Sequence, residues 1–140
     1  MSTHFVAIQT TYEGGLRCRA MHGPSGTELF TDAPVDNQGK GESFSPTDLV
    51  ATALGTCMAT TMGIFAQRHE IDLRGMRVEV KKEIVAQPVR RIGRLTTEIH
   101  MPLSADHPHR KALELAAHTC PVHRSLGADV DLPITFHWGE

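Results

Sequence analysis

The chain has 140 residues, and 40% of them are hydrophobic, which is enough for one domain with its own core and too little for two. Its net charge is −2, and Lys and Arg never form more than a pair in sequence, so we expect no nucleic acid partner. Residues 1–10 lack the basic start and apolar stretch of a signal peptide, and no stretch of about 18 residues is continuously apolar. These features predict a soluble cytoplasmic protein with no membrane partner.

Three cysteines are present, an odd number at low density that does not resemble a secreted disulfide framework. In a reducing compartment, such thiols are buried side chains or reactive groups more often than permanent bridges. The surroundings of each thiol therefore decide its role.

The first third of the chain is typical of short strands separated by turns. Residues 4–9 are β-prone, residues 12–15 favour a tight turn, and residues 16–21 complete a hairpin. After a second turn, residues 27–31 can supply a third strand. Residues 32–44 are rich in Pro, Asn, Gly and charged side chains, which predicts a long, mobile surface loop.

A long helix is predicted to begin at Ser45-Pro46-Thr47-Asp48. Ser45 can cap the helix, Pro46 suits its first position, and Asp48 can complete a capping box. Apolar and small side chains then recur at spacings of three and four, which indicates a stripe along one face: Leu49, Val50, Ala53, Leu54, Cys57, Thr61 and Ile64.

The second half of the chain predicts two strands, a helix and a final strand. Residues 76–85 alternate in polarity and residues 95–101 are β-prone, which indicates two long antiparallel strands. A helix over residues 108–119, capped by Ser104 or Asp106, follows. Near the C-terminus, residues 130–138 alternate again, and Pro133 within them favours an edge strand. The order βββ-α-ββ-α-β predicts an α+β fold with two helices packed on a mostly antiparallel sheet.

Cys57 lies on the apolar stripe, about three turns inside the first predicted helix. Free cysteine is among the most buried residue types, so plain packing is one interpretation. The helix dipole acts mainly on the first turn, so activation of this thiol would need a cation from elsewhere. Arg17, Arg19 and Arg124 are the candidates.

Cys120 follows the second predicted helix and precedes Pro121, which disfavours helical continuation. Its thiol either packs beneath this turn or serves as the redox partner of Cys57. The spacing to His123 would suit a metal ion, but no second close Cys/His pair exists, so we predict neither a metal site nor a cofactor. Cys18, in a predicted strand, is interpreted as a packing residue.

Three segments of the chain together resemble the OsmC/Ohr family, and specifically its OsmC-like branch: Ser45-Pro46-Thr47-Asp48-Leu49, Ala53-Leu54-Gly55-Thr56-Cys57 and Cys120-Pro121-Val122. The resemblance covers nearly the whole sequence, so residues 1–140 are expected to form a single OsmC-like domain. It implies an intertwined homodimer with its sites at the subunit interface, and thiol-dependent reduction of hydroperoxides. In that case Cys57 matches the peroxidatic cysteine and Cys120 the resolving cysteine.

The resemblance also reveals a departure at the start of the first helix. Peroxidases of the family place Glu directly after the Pro of this motif, where it holds the activating Arg, but Thr47 stands there in this chain. Asp48 comes one residue later, which turns it by about 100° around the helix. The family's Arg follows an early glycine turn, which nominates Arg17 or, with one residue of slippage, Arg19.

The expected reaction begins when Cys57 attacks an organic hydroperoxide or hydrogen peroxide and becomes a sulfenic acid. Cys120 then closes a disulfide, which requires the two Cα atoms to approach within about 7 Å. The resemblance points to an external dithiol of the dihydrolipoyl type as reductant. Four further residues are expected to contact the substrate: Thr47, Asp48, Leu54 and Met58.

Two other functions are compatible with the same sequence. The chain can be a non-catalytic dimer that binds a small molecule and keeps its thiols buried, and the replacement of Glu by Thr47 favours this interpretation. A thiol-based redox sensor would oxidise in the same way but turn over poorly without a partner.

Overall fold

The computed structural model of the chain describes residues 4–139. The chain divides into two compact units, of which the first ends at Leu49 and the second begins at Val50. Each unit contains its own three-stranded sheet. The predicted α+β class and the order βββ-α-ββ-α-β are confirmed, with one short 3₁₀ helix and one short α-helix added. The assignment of residues 1–140 to one domain stays a prediction.

The first unit is built on three antiparallel strands in the order β1-β2-β3. Their bounds are β1 (Ile8–Gly14), β2 (Arg17–His22) and β3 (Glu28–Asp32). The predicted first strand over residues 4–9 was therefore wrong. Residues 12–14 continue the strand through a bulge against β2, and the chain reverses only at Gly15 and Leu16, where φ is positive.

The two faces of this sheet differ in polarity. Because side chains alternate along a strand and the register pairs Tyr12 with Cys18 and Arg17 with Asp32, each face can be identified from the pairing. One face is largely apolar and carries Ile8, Tyr12, Cys18, Ala20 and Leu29. The opposite face is largely charged and carries Glu13, Arg17, Arg19, Glu28 and Asp32.

The loop that follows β3 is tied to the strands by hydrogen bonds. It contains a short 3₁₀ helix, Val35–Asn37. Ser43 and Phe44, at its end, hydrogen-bond to Phe30 and Asp32 of β3. The Asp32 N–H donates to the Phe44 carbonyl at 3.0 Å, and the Gly41 N–H donates to the Ala33 carbonyl at 3.2 Å. The predicted loop is therefore attached to the end of β3 by backbone hydrogen bonds, and its mobility stays a prediction.

Helix α1 (Pro46–Arg68) begins where the sequence predicted. The Asp48 N–H donates to Ser45 Oγ at 3.1 Å, and the Ser45 N–H donates to Asp48 Oδ2 at 2.9 Å. These reciprocal bonds satisfy two backbone donors that a helix start leaves open, so the predicted capping box is confirmed.

The buried face of α1 differs from the predicted stripe. Its buried residues are Ala51, Leu54, Gly55, Met58, Met62 and Ala66, whereas Ile64 is exposed. The helix is apolar around most of its circumference, so periodicity alone did not fix its inner face. By length and composition this helix could cross a bilayer. Its composition is also that of a core helix, and six of its residues are buried.

The second unit packs helices on a sheet of order β4-β5-β6. Strands β4 (Arg77–Val85) and β5 (Arg91–His100) are antiparallel, and β6 (Ile134–His137) pairs with β5 in parallel, at the edge. A Cβ atom at Gly55 of α1 would lie 3.1 Å from Val80 Cγ2 of β4. Glycine therefore lets α1 lie close against the sheet.

Two shorter helices complete this unit: α2 (Arg110–His118) and α3 (Pro121–Ser125). Neither Ser104 nor Asp106 caps α2, because these two side chains hydrogen-bond to each other and His109 occupies the cap position. Helix α3 was not predicted from the sequence. Buried side chains from α1, β5, α2 and the residues that follow β5 and α2 form one hydrophobic core: Ala51, Leu54, Met58, Met62, Leu95, Ile99, Met101, Leu113, Ala117 and Cys120.

Candidate active site

Cys57 lies at the margin of the core face of α1. Its neighbour Thr56 is exposed and Met58 is fully buried, whereas Cys57 is half-buried and packs against the core. A side chain in this position has a hydrophobic surrounding on one side and access to solvent on the other. Such partial exposure is what a reactive thiol requires and an inert core thiol lacks.

Cys120 is fully buried and caps α3. Its backbone is extended, with φ −65° and ψ 139°, as expected for a residue before Pro121. Its sulfur accepts a hydrogen bond from the His123 N–H at 3.2 Å, and the Val122 N–H contributes as well. The Cys-Pro sequence therefore ends one helix and starts the next, with the thiol as the cap between them.

The side chains of Cys57 and Cys120 are close enough in the second unit for the two thiols to interact electrostatically. Burial is the main cause that raises the pKa of Cys120, and the Cys57 thiol raises it further. The N–H groups of His123 and Val122 act in the opposite direction but do not compensate. At neutral pH, Cys120 is therefore a protonated thiol next to Cys57, and both cysteines are free.

Three aromatic rings lie near one another around His118, two residues before Cys120. The His118 ring lies 6.1 Å from that of His123 and 6.3 Å from that of Phe136, measured between centroids. Burial lowers the pKa of His123, and the nearby His118 lowers it further. His123 is therefore neutral at physiological pH and adds no cation beside the buried thiol.

Arg17, the first candidate for an activating cation, belongs to a charged cluster in the first unit. Its Nη2 atom lies 2.9 Å from Glu42 Oε1 and 3.4 Å from Asp32 Oδ2. Asp32 Oδ2 also accepts the Glu42 N–H at 3.0 Å. This backbone hydrogen bond is the main cause that lowers the pKa of Asp32, and Arg17 lowers it further against the effect of burial.

The other two candidate cations are arranged differently. Arg19 forms ion pairs with Glu28 at 2.7 Å and with Glu13 at 3.5 Å. These pairs link neighbouring strands of the first sheet. Arg124 is exposed on α3, where its N–H donates to the Cys120 carbonyl. Among the three, Arg17 alone shares a cluster with a fully buried carboxylate, that of Asp32.

The four residues expected to contact substrate have other roles in the structure as well. Leu54 and Met58 are fully buried in the core of the second unit, so they present no surface there. Thr47 Oγ1 lies 3.2 Å from Ser45 Oγ, and Asp48 is occupied by the capping box. Contact of any of them with a substrate stays a prediction.

Within residues 4–139, no group of three or more His, Cys, Asp or Glu side chains is arranged to hold a metal ion. His123 follows Cys120 by three residues, a spacing that would suit a metal ion. In the structure, its backbone N–H donates a hydrogen bond to the Cys120 sulfur.

Sequence reasoning missed two features of the site. The anchoring of Arg17 by Asp32 could have been found only from the strand register, which pairs these residues across β2 and β3. The capping of α3 by Cys120 has a weak local signal, namely Pro at the first position after it.

The sequence comparison assigns the chain to a family. Residues 39–135 match the family of OsmC-like proteins, so the chain belongs to the OsmC-like family. No curated protein matches the chain.

Solved structures agree with this assignment over nearly the full length. A crystal structure from Psychrobacter arcticus 273-4, whose name refers to osmotic stress and a detoxification response, is 43% identical to this chain. It covers 97% of this chain and 98% of its own, with a TM-score of 0.88. The structure of the Legionella pneumophila organic hydroperoxide resistance protein OsmC is 17% identical to this chain and has a TM-score of 0.78. The match covers 98% of this chain and 99% of the Legionella chain.

A Vibrio cholerae O1 structure, described as an organic hydroperoxide resistance protein with captopril in one of its active sites, is also similar. It is 20% identical, covers 97% of this chain and 94% of its own, and has a TM-score of 0.74. At identities this low, the Legionella and Vibrio structures support the fold alone.

Proposed function

We propose that this protein is a cysteine-based peroxidase that reduces organic hydroperoxides through Cys57 and Cys120. The observation that carries the proposal is the proximity of the two thiols within a chain of the OsmC-like family. A half-buried thiol beside a fully buried one gives an accessible nucleophile and a protected partner.

In the first step, the Cys57 thiolate attacks the distal oxygen of the hydroperoxide. The O–O bond breaks, the sulfur loses two electrons and becomes a sulfenic acid, and the other oxygen takes up a proton and leaves as an alcohol. The apolar side chains packed around Cys57 favour an alkyl hydroperoxide over hydrogen peroxide as substrate. The Legionella and Vibrio structures, which share the fold, are themselves described as organic hydroperoxide resistance proteins.

In the second step, the Cys120 thiol attacks the Cys57 sulfenic acid. A sulfur–sulfur bond forms, and the hydroxyl group leaves with the Cys120 proton as water. Because Cys120 is protonated at neutral pH, this step is expected to accelerate as pH rises. An external dithiol, of the dihydrolipoyl type that the family resemblance suggests, then reduces the disulfide by thiol–disulfide exchange. The dithiol becomes a disulfide itself, and both protein thiols are restored.

Arg17 is proposed as the cation that activates Cys57. The proposed compartment is the cytoplasm, where the thiols would be kept reduced. The proposed role of Arg17 rests on the family resemblance and on its position directly after the turn at Gly15 and Leu16. A guanidinium favours a thiolate because it donates several charge-assisted hydrogen bonds.

The first unit supports the proposed homodimer. Every residue of β1 is exposed, and the apolar face of its sheet includes the exposed side chains of Ile8, Tyr12 and Leu29. A three-stranded sheet gains stability when such a face is covered. We propose that a second copy of the chain covers it.

The proposed activity is tested by consumption of tert-butyl hydroperoxide with dihydrolipoamide as reductant. Wild type is expected to turn over, Cys57→Ser to consume none, and Cys120→Ser to consume one equivalent and stop. Cys18→Ser is the matched control, since Cys18 lies in the first unit, and it should retain the wild-type rate. Equal consumption by wild type and Cys57→Ser would refute the proposal.

A further inference from the structure

Arg17 is shared by two carboxylates that differ in their surroundings. The Asp32 side chain is 1% exposed and the Glu42 side chain is 58% exposed, although the same Nη2 atom of Arg17 contacts both. An exposed ion pair is screened by water and salt and fixes a long side chain poorly. The buried carboxylate is therefore the stronger determinant of where the guanidinium lies.

We propose that Asp32 is the positioning residue for Arg17 and supplies the carboxylate that the helix start lacks at Thr47. This inference rests on the proposed role of Arg17 in activating Cys57. Asp32 acts through Arg17 and does not itself contact the substrate. Glu42, in the same cluster, is a dispensable second partner.

The strand register explains how Asp32 can hold Arg17. The two residues are directly paired across β2 and β3, so their side chains leave the same face of the sheet. Directly opposed residues have Cβ atoms about 5 Å apart, within reach of an ion pair. Arg17 is thus held by strand pairing, which is more rigid than a loop contact.

The backbone around Asp32 fixes its carboxylate in turn. Oδ2 accepts the Glu42 N–H, and the Asp32 N–H donates to the Phe44 carbonyl. Oδ1 is buried and has no hydrogen-bond partner among the described residues. It is available as the second acceptor for the forked guanidinium, which binds carboxylates best through two parallel hydrogen bonds.

A double-mutant cycle tests this inference. The variants are Arg17→Ala, Asp32→Asn and the combination, with Glu42→Gln as matched control because it keeps the Glu42 backbone N–H. The readout is the rate of Cys57 alkylation by iodoacetamide at pH 6.5, measured in Cys18→Ser protein without peroxide. Asp32→Asn should slow the reaction about tenfold and Glu42→Gln by less than about threefold, as expected for loss of a buried against an exposed charged hydrogen bond.

The combined variant gives the decisive comparison. If Asp32 acts through Arg17, the double variant is no slower than Arg17→Ala alone; a merely structural role would make the two effects add. Additive effects, or an unchanged rate in Asp32→Asn, would overturn the inference. So would an unchanged rate in Arg17→Ala, whatever the peroxide assay gives.

Two further measurements keep the test clear. If Asp32→Asn does not fold, Arg17→Lys examines the same pair from the other side, because lysine keeps the charge but loses the fork. A rate equal to wild type in Arg17→Lys would overturn the inference. If wild type consumes no hydroperoxide, the proposed function fails, while the alkylation cycle still reports on Asp32.

Discussion

The two units of the chain bury different kinds of side chain. In the second unit the buried residues are apolar, apart from Thr97, and they form one continuous core. In the first unit, within the described residues, the buried side chains are Thr31, Asp32 and Ser45, which are all polar. The second unit is therefore stabilised by hydrophobic burial, and the first by strand pairing and ion pairs. Cys57 and Cys120 lie in the unit with the apolar core, and Arg17, their proposed cation, lies in the unit whose buried side chains are polar.

The largest effect expected from this comparison is the loss of a core side chain in the second unit. Leu54→Ala should lower the free energy of unfolding by about 2–5 kcal/mol, because it removes a fully buried side chain and leaves a cavity. The control is Leu115→Ala on α2, where the side chain is 64% exposed and the loss should stay below about 1 kcal/mol. Chemical denaturation measures both. Similar losses at the two sites would contradict the assignment of the core.

The first unit should lose stability in acid, and the second unit should lose stability in alkali. The lowered pKa of Asp32 stabilises the first unit at neutral pH, and this contribution is lost as pH falls from the ordinary carboxyl value through the lowered one. The raised pKa of Cys120 means that the folded second unit holds a proton, so stability falls as pH rises above the ordinary thiol value of 9.0.

Amide hydrogen exchange, corrected for the intrinsic rate at each pH, can resolve these two limits. Amides of β2 should lose protection first in acid, and amides of α3 first in alkali. Asp32→Asn should remove the acid limit of the first unit without moving the alkaline one. Simultaneous loss of protection in both units at both limits would show that they do not respond separately.

The smallest expected effect is a difference in stability between alanine substitutions at two glycines of α1, Gly55 and Gly63. Gly55→Ala should cost about 1 kcal/mol, because the new methyl group would press on Val80 and the contact must widen. Gly63→Ala should instead stabilise by about 0.5–1 kcal/mol, since within residues 4–139 nothing outside the local helix backbone lies within 4 Å of its added Cβ, and alanine is the better helix former. Thermal unfolding of both variants gives the two signs. A stabilised Gly55→Ala would contradict the close approach of α1 to β4.

Local signals in the sequence predicted the elements that depend on local interactions. Ser45, Pro46 and Asp48 identified the start of α1 because a capping box involves only four consecutive residues. The face of α1 was predicted wrongly because the helix is apolar almost all round, and only the sheet beneath it selects Leu54 and Met58 over Ile64. Strand β1 was misplaced because its register depends on pairing with β2.

The candidate site depended more on non-local contacts. The meeting of Cys57 and Cys120 was expected from the family resemblance, since no local rule brings such distant residues together. The anchoring of Arg17 by Asp32 was not foreseen because an acidic residue at the end of a short strand has no signal of its own. It becomes recognisable only when β2 and β3 are paired.

The redox pairing of Cys57 with Cys120 is tested most directly by counting thiols. The reduced chain has three free cysteines. One equivalent of tert-butyl hydroperoxide should leave a single free thiol, that of Cys18, and digestion without reductant should yield one peptide pair joined through Cys57 and Cys120. If Cys120 stays free while Cys57 is oxidised to sulfinic acid, or if Cys18 is consumed instead, the account is contradicted.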